Sequence, residues 1–386
     1  MSDVATLAAR LADTQLPTAD EEIWRYSRIG DLDLTAFVPT AHQPVVTGGD
    51  GLASFREIGD AIELFSGELP DVFATLNHEH AATVHITVPA GMVVAEPILI
   101  EHVIPGGNAL VCPRVVVEAG ENSQVTVIER FTSSGSGASL VLPVMQIGTA
   151  QAARVNYLAV NELSDEVWSI GHQQAVGERD SSTLLATVAL GGYYARVRTE
   201  ARIVGKGAST RQVALYFAGG DQMHDFRTIQ DHAAPHSTSD LLFKGAVQDH
   251  ARSVYTGLIK IRENAKGTVA YQTNRNLTLS AGSWAESVPN LDIKTNDVKC
   301  SHASTVGPID EDQRFYLESR GVRPEIAERL VVLGFFDEVL SQLPAAAIAA
   351  DLRAAVAAKL HLGESTDESP GESTGESTGE STGGPA

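Results

Sequence analysis

Lys299-Cys300-Ser301-His302 places a thiol and an imidazole two positions apart. In an extended segment residues i and i+2 project to the same face, so Cys300 and His302 would stand side by side as a soft pair suited to iron, zinc or copper. Two donors do not complete a metal site, and cysteine is often simply buried, so spacing alone favours a packing role. Two further polar groupings invite the same question: His78-Glu79-His80 with His85, and His224, Asp225, Asp231, His232, His236 and His250. Neither has the positioned carboxylate and open position of a zinc hydrolase, and turns or solvated loops account for both. Cys112, between Val111 and Pro113, reads as a small apolar core residue.

Catalytic signatures are missing. Gly205-Lys206 is followed by Gly207 rather than Ser or Thr, so there is no phosphate loop and the chain itself is expected neither to bind nor to hydrolyse a nucleotide. A nucleophile elbow and a His-Glu-x-x-His zinc helix are also absent.

The pair at 300 and 302 must be positioned by what precedes it. From about Thr83 to Thr305 short runs rich in Val, Ile, Leu, Thr and Tyr recur, such as Thr83-Val88, Val125-Arg130, Val155-Val160, Val197-Val204 and Val254-Ile261. Gly, Asn, Ser and Ala punctuate them, as at Ala119-Gly120-Glu121-Asn122, and no helix of ten residues fits between. The region is therefore mainly β. A sandwich would show two-residue Asn-Gly or Asp-Gly hairpin turns, which the region lacks. A right-handed parallel β-helix, with coils of roughly 20 to 30 residues and on the order of ten coils, fits better.

Around this core lie helical patterns. Val4 to Leu16 has helical apolar spacing ended by Pro17, Thr18 or Asp20 could cap a second helix from Glu21, and a short helix falls within Ala61 to Asn77. After Pro308, Asp310 caps a helix carrying Phe315, Tyr316 and Leu317 that stops at Gly321; Pro324 opens another through Phe335 and Phe336, and an Ala-rich third follows Pro344. Such a bundle is expected to cap the solenoid's last coil. The division is thus an N-terminal helical or mixed region 1–80, a β-helix core 81–305, a small helical domain 306–362, and an acidic Gly-Glu-Ser-Thr tail 363–386 expected to be disordered.

Composition sets outer limits. With 386 residues, 43% of them hydrophobic, the chain reads as a soluble globular protein without a membrane span or a signal-peptide pattern, expected in the cytoplasm. A formal charge of −21 excludes a nucleic-acid footprint. Cys112 and Cys300 are too few for a disulfide framework and too few to hold an iron–sulfur cluster alone.

The run from Ser287-Val288-Pro289-Asn290-Leu291-Asp292-Ile293 through Lys299-Cys300-Ser301-His302, with Val306-Gly307 and Phe315-Tyr316-Leu317-Glu318-Ser319-Arg320-Gly321-Val322, resembles the SufB/SufD family of iron–sulfur cluster assembly proteins, and its SufD branch through the Lys-Cys-Ser-His wording. Glu22-Ile23-Trp24-Arg25-Tyr26 resembles the family's N-terminal phrase. The resemblance implies a parallel β-helix core and a non-catalytic scaffold. It implies a complex with a SufB-like paralogue and a SufC-like ATPase, fed indirectly by a cysteine desulfurase. It also implies a transient iron–sulfur cluster shared with the paralogue at the interface, with His302 contributing and Cys300 beside it. The terminal helical domain would dock the ATPase through Phe315, Tyr316, Arg320, Phe335 and Phe336. Where the family continues His-Gly-Ala-Thr, this chain has His302-Ala303-Ser304-Thr305, and a glycine at positive φ would be strained as alanine. The rival readings are a carbohydrate-active β-helix protein of the polysaccharide lyase kind, using exposed Asp and His residues between 221 and 250, and a purely structural adaptor.

Overall fold

The β-branched runs fold into a parallel β-solenoid of about 8 turns in which each coil gives one strand to each of two sheets. The computed structural model describes residues 10–57, 64–65 and 69–362, apart from the side chains at 346, 347, 361 and 362. The first sheet runs through Ala82–Val88, Pro113–Ala119, Val144–Thr149, Val167–Gly177, Tyr194–Ile203, Met223–His232, Arg252–Ile261 and Trp284–Ile293. The second runs through Ile98–Pro105, Gln124–Ser134, Arg154–Glu162, Ser182–Ala189, Ser209–Ala218, Thr238–Val247, Thr268–Thr278 and Val298–Gly307.

Tyr194 pairs with Met223 and Met223 with Arg252, an advance of 29 residues per coil, within the expected range, and the coils number about 8. One corner repeats as a ladder of left-handed residues, Asn122, Ala152, Asp180, Gly207, His236 and Gly267, with φ between 55° and 75°. The N–H of Asn122 donates to the Gln151 carbonyl, that of Ala152 to Arg179 and that of Asp180 to Lys206, so the corner's backbone groups are satisfied one coil on.

Between the sheets the first coils are filled by Val, Ile and Ala, among them Ile86, Val117, Val127 and Ile147. The later coils hold an aromatic group, Tyr216, Phe226, Phe243 and Tyr255. The N-terminal region covers the first sheet's outer face. Residues 10–13 are helical, 14–16 of the expected first helix are not, and 4–9 lie outside the described residues. The helix expected from Glu21 is instead three 3₁₀ turns, Glu22–Trp24, Ile29–Asp31 and Leu34–Ala36. The reason is spacing: Trp24, Ile29, Leu32, Leu34 and Phe37 are the buried residues, at irregular intervals that no single α-helical face sustains. Of the 61–77 stretch, part lies outside the described residues; the helix is Val72–His80, capped by the Asp71 carboxylate accepting from the Phe73 and Ala74 N–H groups.

The helices Glu311–Ser319, Pro324–Leu340 and Ala346–Leu362 do not cap the last coil. Val332, Phe336, Val339, Leu352 and Val356 pack on Leu158, Ala186, Val213, Leu215 and Phe217, along the outer face of the second sheet. The apolar stripe is used sideways, because that face is itself apolar and would otherwise be exposed. The solenoid's two ends therefore differ. At the first coil Val45–Thr47 and Ala53–Arg56 pair antiparallel with Ile98–Pro105 and Ala82–Val88 and close both sheet edges. At the other end Trp284–Ile293 and Val298–Gly307 are outermost, with no described strand beyond them. The acidic tail lies outside the described residues.

Candidate functional site

Cys300 and His302 lie on that last strand. In a parallel, in-register sheet paired residues share a face, and here Ala270 pairs with Cys300 and Gln272 with His302. Ala270 and Gln272 are 0% and 2% exposed, inside the solenoid. Cys300 and His302 therefore continue two interior rows to the open end. Cys300 is half-buried against Ile259, Ile261 and Ala270, and burial raises its thiol pKa; His302 is exposed. The Ser304 hydroxyl donates to Ser287 Oγ at 2.7 Å, joining the two sheets across the mouth. Leu291 and Ile293 from one sheet and Val306 from the other complete this end, 38–43% exposed. Ala303 pairs with Thr273 in regular extended backbone and is not among the residues with positive φ, so it carries no strain.

Among the described residues no group of three or more His, Cys, Asp or Glu side chains converges on a point that could hold a metal ion.

The docking candidates separate. Phe315 and Tyr316 are 70% and 57% exposed, and the Arg320 guanidinium lies 5.2 Å from the Tyr316 ring. Tyr316 and half-buried Phe335 line a groove of about 930 Å³ between two helices and the second sheet. Lys244 lies on the Phe335 ring and donates to its carbonyl at 2.8 Å. Phe336 does not belong with them. It is fully buried against Phe217, with ring centroids 6.1 Å apart, and seats the helix on the sheet.

Of the Asp and His residues between 221 and 250, those exposed include Asp221, His236 and His250 on turns, while the buried ones lie in strand Met223–His232. His224, Asp225 and His232 are 0% exposed. Asp225 accepts from Tyr194 Oη at 2.9 Å and from Arg196; His232 is held between Ser237 and Ser239, each at 2.8 Å; His224 Nε2 meets the Gly191 carbonyl at 3.2 Å. Burial lowers the His224 pKa to about 3 and the His232 pKa to about 4, keeping both neutral. His85 is likewise buried in a strand, 2.6 Å from Glu118, rather than on a turn. Cys112 is half-buried, and burial pushes its thiol up to about 12.

The open end itself escaped sequence reading. Its signal was present in Ser287–Ile293, where Leu291 and Ile293 alternate with Asn290 and Asp292 as in a strand with one apolar face.

A family model described as "SUF system FeS cluster assembly, SufBD core domain" matches residues 102–335. An iron–sulfur cluster assembly SufBD family protein of Mycobacterium tuberculosis is 31% identical over 92% of this chain and 91% of its own length. The iron–sulfur cluster assembly protein SufD of Escherichia coli is 29% identical over 86% of this chain and 87% of its own. SufD of Bacillus subtilis is 29% identical over 76% and 69%.

Proposed function

The chain belongs to the SufBD family of the SUF iron–sulfur cluster assembly system and is SufD-like within it, and from that premise we propose that it is a non-catalytic scaffold whose open solenoid end pairs with a SufB-like paralogue. The observation that carries the reading is the place of Cys300 and His302: interior rows of the last coil, at the end where no described strand pairs beyond either sheet. Edge strands present free backbone N–H and C=O groups and pair readily with another chain, and the exposed Leu291, Ile293 and Val306 give such pairing an apolar core.

The nascent cluster is cargo at this interface. His302 supplies a neutral imidazole nitrogen, the partner supplies the remaining ligands, and partner docking removes water from both. Cys300 is the second contributor; its raised pKa means it needs a metal or a nearby positive charge to act as thiolate. The groove beside Tyr316 and Phe335, with Phe315 and Arg320 at its rim, takes the SufC-like ATPase, which supplies the nucleotide chemistry this chain lacks. A cysteine desulfurase delivers sulfur indirectly. The working compartment is the cytoplasm, where two free cysteines stay reduced.

The test is anaerobic iron–sulfide reconstitution of the chain co-expressed with SufB-like and SufC-like partners, read by visible absorption. His302→Ala is expected to leave the three-chain complex intact and abolish the cluster band. A cluster that survives in the variant makes the histidine structural, and failure of the wild-type chains to co-purify removes the scaffold role.

A further inference from the structure

Packing explains only part of the Glu22-Ile23-Trp24-Arg25-Tyr26 phrase. Trp24 is buried, 5.6 Å from Phe73 with the Arg196 guanidinium 3.9 Å over its ring, and so pins the N-terminal segment to the first sheet. Arg25 and Tyr26 lie beside that anchor, the Tyr26 ring 5.8 Å from that of Trp284 and the Arg25 carbonyl accepting from Arg227. Both are exposed, and they border a cavity of about 440 Å³ between this segment and the outer face of the last strands. Arg198, Arg227 and Thr256 pair rung to rung on three successive strands along one wall, with Ile229, Leu258 and Asn290 in the next row.

Three arginines thus face one cavity in a chain of net charge −21. Glu22 is the one acid on the lining. Arg198 is matched by Glu200 at 2.5 Å, but Arg227 is poorly matched. Its nearest carboxylate, Asp225, gives Oδ2 to Arg196 and Tyr194, and its Oδ1, which makes no hydrogen bond, stays 3.8 Å from Arg227 Nε, beyond hydrogen-bond reach. Arg227 is 8% exposed and its Nε has no hydrogen-bond partner, while Nη2 donates to the Arg25 carbonyl at 3.3 Å. Burial lowers its proton affinity; Asp225 opposes this, and Arg196 and Arg198 add to it. A buried guanidinium with an unmade hydrogen bond is costly unless an anion completes it. Tyr26 adds backbone strain at the same place, with φ at 69°.

We propose that this cavity binds a small organic phosphate, its phosphoryl oxygens on Arg25, Arg198 and Arg227 and its apolar body against Tyr26, Ile229 and Leu258. Three guanidinium groups, the Thr256 hydroxyl and the Asn290 amide offer more donors than a carboxylate's two oxygens can use. A phosphate monoester presents three terminal oxygens and up to two charges. The site is separate from Cys300 and His302, and its test does not involve iron or a partner chain.

Isothermal titration of the full chain at low salt uses phenyl phosphate, inorganic phosphate and phenol as probes. Phenyl phosphate is expected to saturate and to bind more tightly than inorganic phosphate, and phenol not to bind. Arg25→Gln, at an exposed position, is expected to leave unfolding unchanged and to weaken phenyl phosphate about tenfold or more, the loss of one charge-assisted pair. Arg227→Gln is expected to weaken it at least as much, and Arg25→Gln decides alone if that variant does not fold. The proposal is overturned if phenyl phosphate fails to saturate by about 10 mM, a Kd too weak for a built site. Affinity unchanged in Arg25→Gln, or equal binding of phenyl and inorganic phosphate, overturns it as well.

Discussion

Ala152 and Ala303 respond oppositely to glycine because their backbones differ. Ala152 turns a corner at φ 57°, where its Cβ crowds the following carbonyl, and Ala152→Gly is expected to raise stability by about 0.5–1 kcal/mol. Ala303 is extended, so restoring the family's glycine there only adds unfolded-state entropy, and Ala303→Gly is expected to cost about 0.5–1 kcal/mol. Urea midpoints of the two variants decide; a stabilising Ala303→Gly would mean that the strand carries hidden strain. At this scale the period-two argument was enough to put Cys300 and His302 on one face. It could not separate Phe335 from Phe336, because neighbours on a helix point about 100° apart and only the sheet beneath determines which is core. Nor could it foresee His224, Asp225 and His232 buried, since nothing in a polar run announces the strands that cover it.

The coil is the repeating element, yet its sequence shows no repeat. The corner is a repeated backbone conformation met in turn by Asn, Ala, Asp, Gly, His and Gly, so identity is not conserved from coil to coil although φ is. Strands such as Met223–His232, with His, Asp, Arg, Gln and His among ten residues, lack the β-branched runs that marked their neighbours. The helix Ala346–Leu362 carries a pH-dependent link to this stack. Lys359 Nζ donates to the Leu190 carbonyl and to Gln222, and burial lowers its pKa from 10.5 to about 8, against the pull of Asp165 and Asp249. Below pH 8 the ammonium is charged in both folded and unfolded chains, and docking bears its desolvation. Between pH 8 and 10.5 the unfolded chain holds the proton more often, so stability rises with pH, by about 3 kcal/mol at most. The unfolding free energy of the wild type minus that of Lys359→Met should climb across this window, and a flat difference would contradict the buried-charge account.

At the scale of the molecule the asymmetry of the two ends is the functional statement. Two short antiparallel strands close one end, and the helices that could have closed the other are spent on the flank, where Phe336 and Val339 cover the second sheet. What remains is a pair of 10-residue strands with no described strand beyond them, carrying Leu291, Ile293 and Val306 into solvent. Such an edge pairs with whatever strand is available. Alone in solution the chain is therefore expected to self-associate end to end at tens of micromolar, in the range where weak interfaces form. Leu291→Asp with Val306→Asp places charges on the apolar mouth and is expected to leave a monomer with unchanged unfolding, because neither side chain is buried in the isolated chain. Light scattering during gel filtration reads both. A wild type that stays monomeric at about 100 µM would mean that the edge strands are protected by some other device, and that docking must begin elsewhere on the surface.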